Sequence, residues 1–428
     1  MADDHWRTAR LLDVAQINPE SIGRGWPHKQ IHYIDISSVG EGQIQVPPQL
    51  MELADAPSRA KRLIRRGDTV LSTVRPNRRS MFFAVQPEND WVVSTGFAVL
   101  RPQVQMIAPR FLYACVFSQT FTEYLVSREK GAAYPAVSPE DIGNAVIPLP
   151  PLKEQAAIAS ILGALDDKIE LNQTMNQTLE ATARTIFKSW FVDFDPVRAK
   201  AAGQPPPGLK PEIAALFPDS LDDSELGEIP KGWKILGLSD IATFLNGLAL
   251  QKYPPGDGGS LPVIKIAQLR KGSTEDADRA GVKLDASYIV DDGDVLFSWS
   301  GSLECVLWTG GRGALNQHLF KVTSDCFSKW FYYLWIHEHL PAFRHIAAAK
   351  ATTMGHIQRH HLAEAKVVIP SSMVLRRANQ IIEPLIDAAI SRSLECRQLA
   401  MLRDTLLPAL VSGQLTIADA ERIAGRAR

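Results

Sequence analysis

The chain has 428 residues, 45% hydrophobic and 22% charged, enough apolar material for two or three globular domains of ordinary core size. With 46 basic against 47 acidic side chains the formal net charge is −1, which excludes attraction of polyanions by bulk charge alone. No apolar run approaches the roughly 18 residues of a membrane span, and the polar start at residues 1–5 has no signal-peptide pattern, so a cytoplasmic chain is expected. The cysteines, Cys115, Cys305, Cys326 and Cys396, form no Cys-x-x-Cys pair and read as reduced structural thiols.

The first segment, 1–150, opens on Trp6, Arg7, Leu11, Asp13 and Ala15, and its alternating run Tyr33-Ile34-Asp35-Ile36 reads as a strand. Next, Gly67-Asp68-Thr69-Val70-Leu71 is a turn feeding a buried strand. Around it lie Arg59, Lys61, Arg62, Arg65, Arg66, Arg75, Arg78 and Arg79, opposed only by Asp68. This run ends in Arg75-Pro76-Asn77-Arg78-Arg79, a loop rich in the side chains that read base edges, arginine on guanine and asparagine on adenine. Arginines outside the groove would neutralise phosphates and fix position. Arg59, Lys61, Arg62, Arg75, Asn77, Arg78 and Arg79 are therefore candidate nucleic-acid contacts.

Residues 151–195 carry the clearest periodicity. Ile158, Leu162, Leu165, Ile169, Asn172, Asn176, Leu179, Ala183, Ile186 and Trp190 recur at alternating intervals of four and three, the apolar seam of a coiled coil. Asn172 and Asn176 interrupt it where buried asparagines would fix register. Their Asn-x-Thr sequons, lying inside a helix, are discounted as glycosylation sites. Trp190, Phe191 and Phe194 end the helix as an aromatic docking segment, and the neighbouring carboxylates Asp193 and Asp195 belong to it rather than to metal-assisted hydrolysis. A Pro-rich stretch, 196–232, follows and reads as a semi-stiff linker with at most a short helix near Glu212 to Leu216.

From 233 to 370 the script repeats, a period far too long for a solenoid of about 20 to 50 residues per unit. Trp233, Leu238, Asp240 and Ala242 answer Trp6, Leu11, Asp13 and Ala15; Val263-Ile264-Lys265-Ile266 answers Tyr33 to Ile36; Gly293-Asp294-Val295-Leu296 answers Gly67 to Leu71. Ile357 to Pro370 answers Val137 to Pro150. The loop equivalent to Arg75–Arg79 is Ser298-Trp299-Ser300-Gly301-Ser302, which is not basic, so two nucleic-acid-binding domains would read different sequences. Charge lies instead in Lys252, Lys265, Arg270, Lys271 and the run His356-Ile357-Gln358-Arg359-His360-His361. Candidate contacts here are Lys252, Arg270, Lys271, Ser298, Ser300, His356 and Arg359. No carboxylate or cysteine at a familiar ligand spacing joins the histidines, so no metal site is expected.

A second helical segment, 371–415, has Ala378, Ile382, Leu385, Ala389, Arg392, Cys396, Leu399, Arg403, Leu406 and Leu410 at the same spacing, before a short tail, 416–428. Pro384 should kink or delay this helix. Arg392 falls where the first seam has Asn172, which predicts that the polar interruptions face each other. Each segment of about 40 residues makes a rod of roughly 60 Å, suited to holding two domains about 34 to 50 Å apart, one DNA turn or somewhat more. No phosphate loop, His-Glu-x-x-His, Gly-x-Ser-x-Gly or Asp/Asn-Pro-Pro-Tyr/Phe motif is present, so no catalytic residue is assigned.

Several segments resemble one family. Ile147-Pro148-Leu149-Pro150-Pro151-Leu152-Lys153-Glu154-Gln155, Leu165-Asp166-Asp167-Lys168-Ile169 and Lys188-Ser189-Trp190-Phe191-Val192-Asp193-Phe194-Asp195-Pro196-Val197 resemble the first central conserved region of type I restriction-modification specificity subunits. Gly227-Glu228-Ile229-Pro230-Lys231-Gly232-Trp233 resembles the entry to their second target-recognition domain. Leu402-Arg403-Asp404-Thr405-Leu406-Leu407-Pro408 with Ser412-Gly413 resembles the end of their last conserved helix. The second region departs from the pattern, with Ser371-Ser372-Met373-Val374 where the first has Pro151-Leu152-Lys153-Glu154.

The resemblance implies an α/β (α+β) fold: two mixed α/β target-recognition domains separated by two long helices in an antiparallel coiled coil, an internal pseudo-twofold repeat. Each domain would read one half of a split, asymmetric site on double-stranded DNA. The implied partners are two modification subunits, adenine methyltransferases using S-adenosylmethionine, and restriction subunits using ATP and Mg2+. This chain itself would need no cofactor. The paired helices, with Ile158, Leu162, Leu165, Ile169, Asn172, Asn176, Leu179, Ile186, Trp190, Phe191, Phe194, Ile382, Leu385, Leu399 and Leu406, would supply the coiled-coil and partner interface. A stand-alone bipartite DNA-binding or scaffold protein is the alternative reading.

Overall fold

A computed structural model describes residues 6–23, 25–131, 134–349 and 355–426; the polar start lies outside them. The chain divides into two compact units, Met1–Ile169 with Gln398–Arg428, and Glu170–Arg397.

In the first unit, β1 (Arg7–Arg10) pairs antiparallel with β10 (Val146–Leu149), tying the start of the domain to its end. Between them, β2 (Ala15–Ile17), β9 (Phe97–Pro102), β6 (Thr69–Ser72) and β7 (Met81–Phe83) form one antiparallel sheet in that order. A second sheet runs β4 (Gln49–Glu52), β3 (Gln30–Ile34), β8 (Trp91–Ser94), β5 (Ala60–Leu63), with β3 and β8 parallel. The strand expected at Tyr33–Ile36 stops at Ile34, because the Asp35 carboxylate accepts from the Ser37 N–H and starts a 3-10 turn.

The period-two rule explains why Val70-Leu71 of β6 and residues 97–100 of β9 are apolar on both faces. Val70, Phe97 and Val99 face a core with Ile34, Phe82 and Val93. Their neighbours Leu71, Ala98 and Leu100 face a core built from Leu11, the helix Pro109–Phe117, and Ile158, Leu162 and Leu165 of the first long helix. Leu406, Leu407 and Leu410 join that core from the other end of the chain.

A tight turn leads into β6. Gly67 adopts φ +90°, a conformation that favours glycine. Asp68, only 1% exposed, accepts from the Arg65 N–H at 2.7 Å and is gripped by Arg101 of β9 at 2.8 and 3.0 Å.

The second unit repeats this order. After a hairpin of β11 (Leu221–Ser224) and β12 (Gly227–Pro230), β13 (Lys234–Gly237) pairs with β22 (Lys366–Ile369). One sheet is β14 (Thr243–Asn246), β21 (Leu319–Thr323), β18 (Val295–Ser298), β19 (Cys305–Leu307); the other is β16 (Arg279–Gly281), β15 (Ser260–Ile264), β20 (Gly313–Leu315), β17 (Ile289–Val290), again with one parallel pair, β15 and β20. The turn recurs too, with Gly293 at φ +89° and Asp294 paired to Lys321 of β21 at 2.9 Å.

Both long helices form, Leu152–Phe187 and Ser372–Val411. The second starts twelve residues ahead of Pro384 and runs through it unbroken, so the expected delay does not occur; Pro384 is exposed, where water can take up the carbonyl its ring leaves unbonded. In the second unit, Asn172 donates to Glu395 at 2.9 Å and Asn176 to Ser393 at 2.9 Å, so the helix segments run antiparallel. The asparagines thus face Glu395 and Ser393 rather than Arg392. In the first unit Arg403 pairs with Asp166 at 3.0 Å.

The heptad seam holds at Ile158, Leu162, Leu165, Ile382 and Leu406, all buried, with Ile169, Leu179, Ile186, Leu385 and Leu399 half-buried. It fails past Ile186. There Phe187, Trp190, Phe191 and Phe194 enter the core of the second unit, where Phe191 packs on Trp233, Trp330 and Phe331. A π-helical turn over Lys188–Val192 and a positive φ of 58° at Phe194 turn the chain to allow this. Trp190, Phe191 and Phe194 are therefore internal packing, not a surface for partners. The Pro-rich stretch is also more ordered than its composition suggests: Val197, Ile213, Phe217 and Ile229 are buried in the same core.

Two buried polar features give measurable expectations. Burial holds the His337 imidazole down to about 3, with Arg184 adding to the effect, and its Nε2 lacks a hydrogen-bond partner. Burial also lowers His339, whose Nε2 donates to the Lys366 carbonyl at 2.8 Å. Since both pKa values lie below the ordinary value near 6.5, the unfolded chain takes up protons first; this stability is present above about pH 6.5 and lost as the pH falls toward 3. Denaturant unfolding should show a loss of about 2 kcal/mol between pH 7 and pH 5 from His337 alone, flattened in His337→Gln. Separately, Asp68→Ala removes the buried partner of Arg101 but leaves it Glu20 at 3.0 Å, and should lower the stability of the first unit by about 1 to 3 kcal/mol, read by denaturant unfolding. Asp294→Ala, at a more exposed pair, should cost less.

Candidate nucleic-acid interface

Where β6 ends, Ser72 is buried and its hydroxyl donates to the Val74 carbonyl at 2.8 Å, bending the chain out of the sheet. The loop that follows is clamped from two sides. Val74 bridges Ala136, and the Arg75 N–H donates to the Pro135 carbonyl at 2.8 Å. On the other side Glu41 bridges Ser80. Pro76–Arg78 makes one 3-10 turn flanked by Arg75 and Arg79, both at φ 51°, a left-handed conformation costly for side chains other than glycine. Asn77 and Arg78 are left exposed at the tip.

The seven basic-loop candidates divide. Arg79 is a strut: Nη2 donates to the Phe117 carbonyl at 2.6 Å, Nη1 pairs with Glu41 at 3.1 Å, and the guanidinium lies 4.6 Å from the Phe117 ring centre. Arg403 lies 4.5 Å from the same ring. Arg62 is half-buried with Nη1 shielded and without a partner, and burial lowers its pKa. Arg79 is thus occupied by internal partners, and Arg62 is only partly accessible. Arg59 is exposed but paired with Asp35 at 2.9 Å. Lys61 is exposed on β5, an outer strand, where a lysine also blocks edge-to-edge association. Arg75, Asn77 and Arg78 share the presented turn, and Arg78 has no ion pair among the described residues.

The clamping segment brings in residues that sequence reasoning missed. Tyr134 is 73% exposed, and Arg75 lies 5.6 Å from its ring centre. Arg128 and Lys130 are exposed in the same segment. The signal available was composition: two cations, Arg128 and Lys130, and a tyrosine beside Gly131, more than fifty residues from Arg75 in sequence.

The second domain builds the same junction from other chemistry. Ser298 is fully buried and donates to the Ser302 carbonyl at 2.6 Å, the counterpart of Ser72. Ser300, 4% exposed, bonds to His318 Nδ1 at 2.9 Å and bridges His356. Both serines therefore shape the loop rather than line its surface, a correction that burial forces. Trp299 Nε1 donates to Asn246 Oδ1 at 2.9 Å, and its ring lies 6.2 Å from that of His356. Lys271 is matched by Glu275 and Asp276. Lys252, Arg270 and Arg359 are exposed without ion pairs among the described residues, but on three different elements.

Two groups offer metal-type donors. His360, His361 and Glu364 place ligand atoms within 4.8 Å of one another, as do His32, Glu88 and Asp90. A carboxylate thus does join the histidine run, one helical turn along, contrary to expectation. In each group the donors are already used or open to water: His361 accepts from the Gln358 N–H at 2.9 Å, and His32 bonds Asp90 at 2.9 Å. All four cysteines are free thiols. Among the described residues no helix is long and apolar enough to cross a membrane.

Comparison with known proteins places this geometry. A specificity subunit of the type I restriction enzyme HindI from Haemophilus influenzae is 26% identical over 415 residues, covering 86% of this chain and 90% of that protein. The MjaIX specificity subunit from Methanocaldococcus jannaschii is 25% identical, covering 82% and 78%. The crystal structure of a type I restriction-modification S subunit from M. genitalium shares the fold, with a TM-score of 0.54 over 96% of this chain and 97% of that one at 14% identity. The model of the type I restriction modification DNA specificity domain matches residues 4–181 and again 230–392, one match over each repeat. With both halves matched, the chain belongs to the type I restriction modification DNA specificity domain family.

Proposed function

We propose that this chain is the DNA-specificity subunit of a type I restriction-modification complex, reading a split, asymmetric site with one domain on each half. The observation that carries this reading is the pair of equivalent loops. They leave equivalent strands, β6 and β18, through equivalent buried serines. One presents Arg75, Asn77 and Arg78; the other presents Trp299 and His356 over a neutral surface. Arginine and asparagine suit guanine and adenine edges, whereas the second loop lacks such forks, so the two half-sites differ.

In this reading the chain recognises and assembles, and partner subunits do the chemistry: modification subunits methylate adenine with S-adenosylmethionine, and restriction subunits use ATP and Mg2+. A furrow of about 490 Å³ along the first long helix, lined by Gln177, Thr178, Ala181, Thr182, Thr185 and Ile186, is a seat for a partner helix. The Thr178 and Thr182 hydroxyls donate to carbonyls of their own helix at 3.1 and 2.7 Å, so docking there leaves no hydroxyl stranded. The long helices set the spacer between half-sites.

Two experiments test the reading. In the reconstituted methyltransferase complex, Asn77→Ala with Arg78→Ala should relax one half-site at a cost of about 1 to 3 kcal/mol per lost base contact, read by mapping methylated adenines. Equal relaxation at both halves would count against the loop assignment. A heptad added to both long helices adds about 10 Å, so the methylated motif should gain roughly three base pairs of spacer. An unchanged spacer removes the helices from that role.

A further inference from the structure

Tyr134 stands out among the exposed apolar side chains of the first unit. At 73% it is the most exposed of them, and it sits at the junction with the basic turn. Its position is built. Val74 bridges Ala136, Lys130 bridges Ala136, and the Val137 N–H donates to the Thr73 carbonyl at 2.9 Å, so the segment carrying Tyr134 is stitched to the loop carrying Arg75. Gly131 is at φ +96°, a conformation that favours glycine, and a Cβ there would stand 3.2 Å from the Tyr134 carbonyl. Arg75, in its left-handed conformation, places its guanidinium 5.6 Å from the ring centre. Arg78, exposed on the same turn as Arg75, adds positive charge beside the pair; Arg128 lies over the Tyr124 ring and Lys130 meets Asp141 at 4.0 Å.

A single exposed ring is ordinary on a protein surface; here the ring is paired with the Arg75 guanidinium beside the exposed turn of Asn77 and Arg78, an arrangement suited to a polyanionic partner. In an intact duplex the base faces are hidden. What the major groove offers an apolar ring is the C5 methyl of thymine, and what it offers the adjoining guanidinium is the O6 and N7 of guanine. We propose that Tyr134 is a specificity-determining residue that contacts the methyl of a thymine in the half-site read by the first domain, with Arg75, stacked on it, directed to the neighbouring base pair. This rests on the reading of the chain as a DNA-specificity subunit and names the bases that one loop pair selects.

The test uses the full complex and duplexes carrying its mapped methylation motif, with each thymine of the first half-site replaced in turn by uracil, which removes only the methyl. The wild-type complex should lose about four-fold in affinity at one thymine, the transfer value of one methyl-sized group. Tyr134→Ala should bind the thymine duplex about ten-fold more weakly and be indifferent to uracil at that position, while Tyr134→Phe should retain the sensitivity. Since the side chain is exposed, these variants fold; circular dichroism and unchanged recognition of the second half-site verify it. If the wild type is insensitive to every uracil, or Tyr134→Ala keeps the sensitivity, the inference falls while the specificity reading stands. Equal losses with thymine and uracil would indicate a wedge between base steps and also overturn it. If the complex methylates no split motif, both readings fall.

Discussion

A carboxylate paired to the neighbouring strand at the start of a central strand governs how each domain presents its loop, and in the first domain it is buried. Asp68 is almost wholly removed from water, and an ionised group there is tolerable only because Arg101 and a backbone N–H meet it. Arg101 belongs to β9, the neighbour of β6, so the ion pair locks the turn to the sheet it enters. Asp294 and Lys321 do the same for β18 and β21. Once the turn is fixed, the strand runs four residues through two cores and ends at a buried serine that bends the chain outward. The place where the loop emerges is thus set by interior chemistry, and its surface residues are free to differ.

That separation explains how one frame serves two targets. In the first domain the emerging loop is stiffened by Arg79, which spends its charge on Glu41 and its plane on Phe117, leaving Arg75, Asn77 and Arg78 to face outward. Arg403 of the second long helix meets the same phenylalanine and pairs with Asp166 of the first. The basic loop and the helix pair therefore share one aromatic ring within the first unit. In the second domain a tryptophan hydrogen-bonded to Asn246 takes the stiffening role.

Much of the fold was legible in the chain. Repeated Gly-Asp turns, alternating strands and a four-three seam name the elements because each depends on residues close in sequence, and the duplicate made each reading twice. Pro384 misled because the cost of a proline depends on which side of the helix lies open to water. The end of the seam misled for a related reason: Trp190 keeps heptad spacing, but a π-helical turn over Lys188–Val192 brings it, with Phe191, into the second unit's core.

The sequence by itself determined two domains of one type, two long helices, and a basic loop in only one domain, since composition and periodicity are properties of neighbours along the chain. Tertiary structure alone decided which charges are available. Arg79, Ser298 and Ser300 look like surface contacts in sequence and are withdrawn by burial or by partners tens of residues away. Tyr134, unremarked in sequence, is delivered to the loop by a backbone bridge. Exposure and pairing are set by distance in space, and nothing local encodes them.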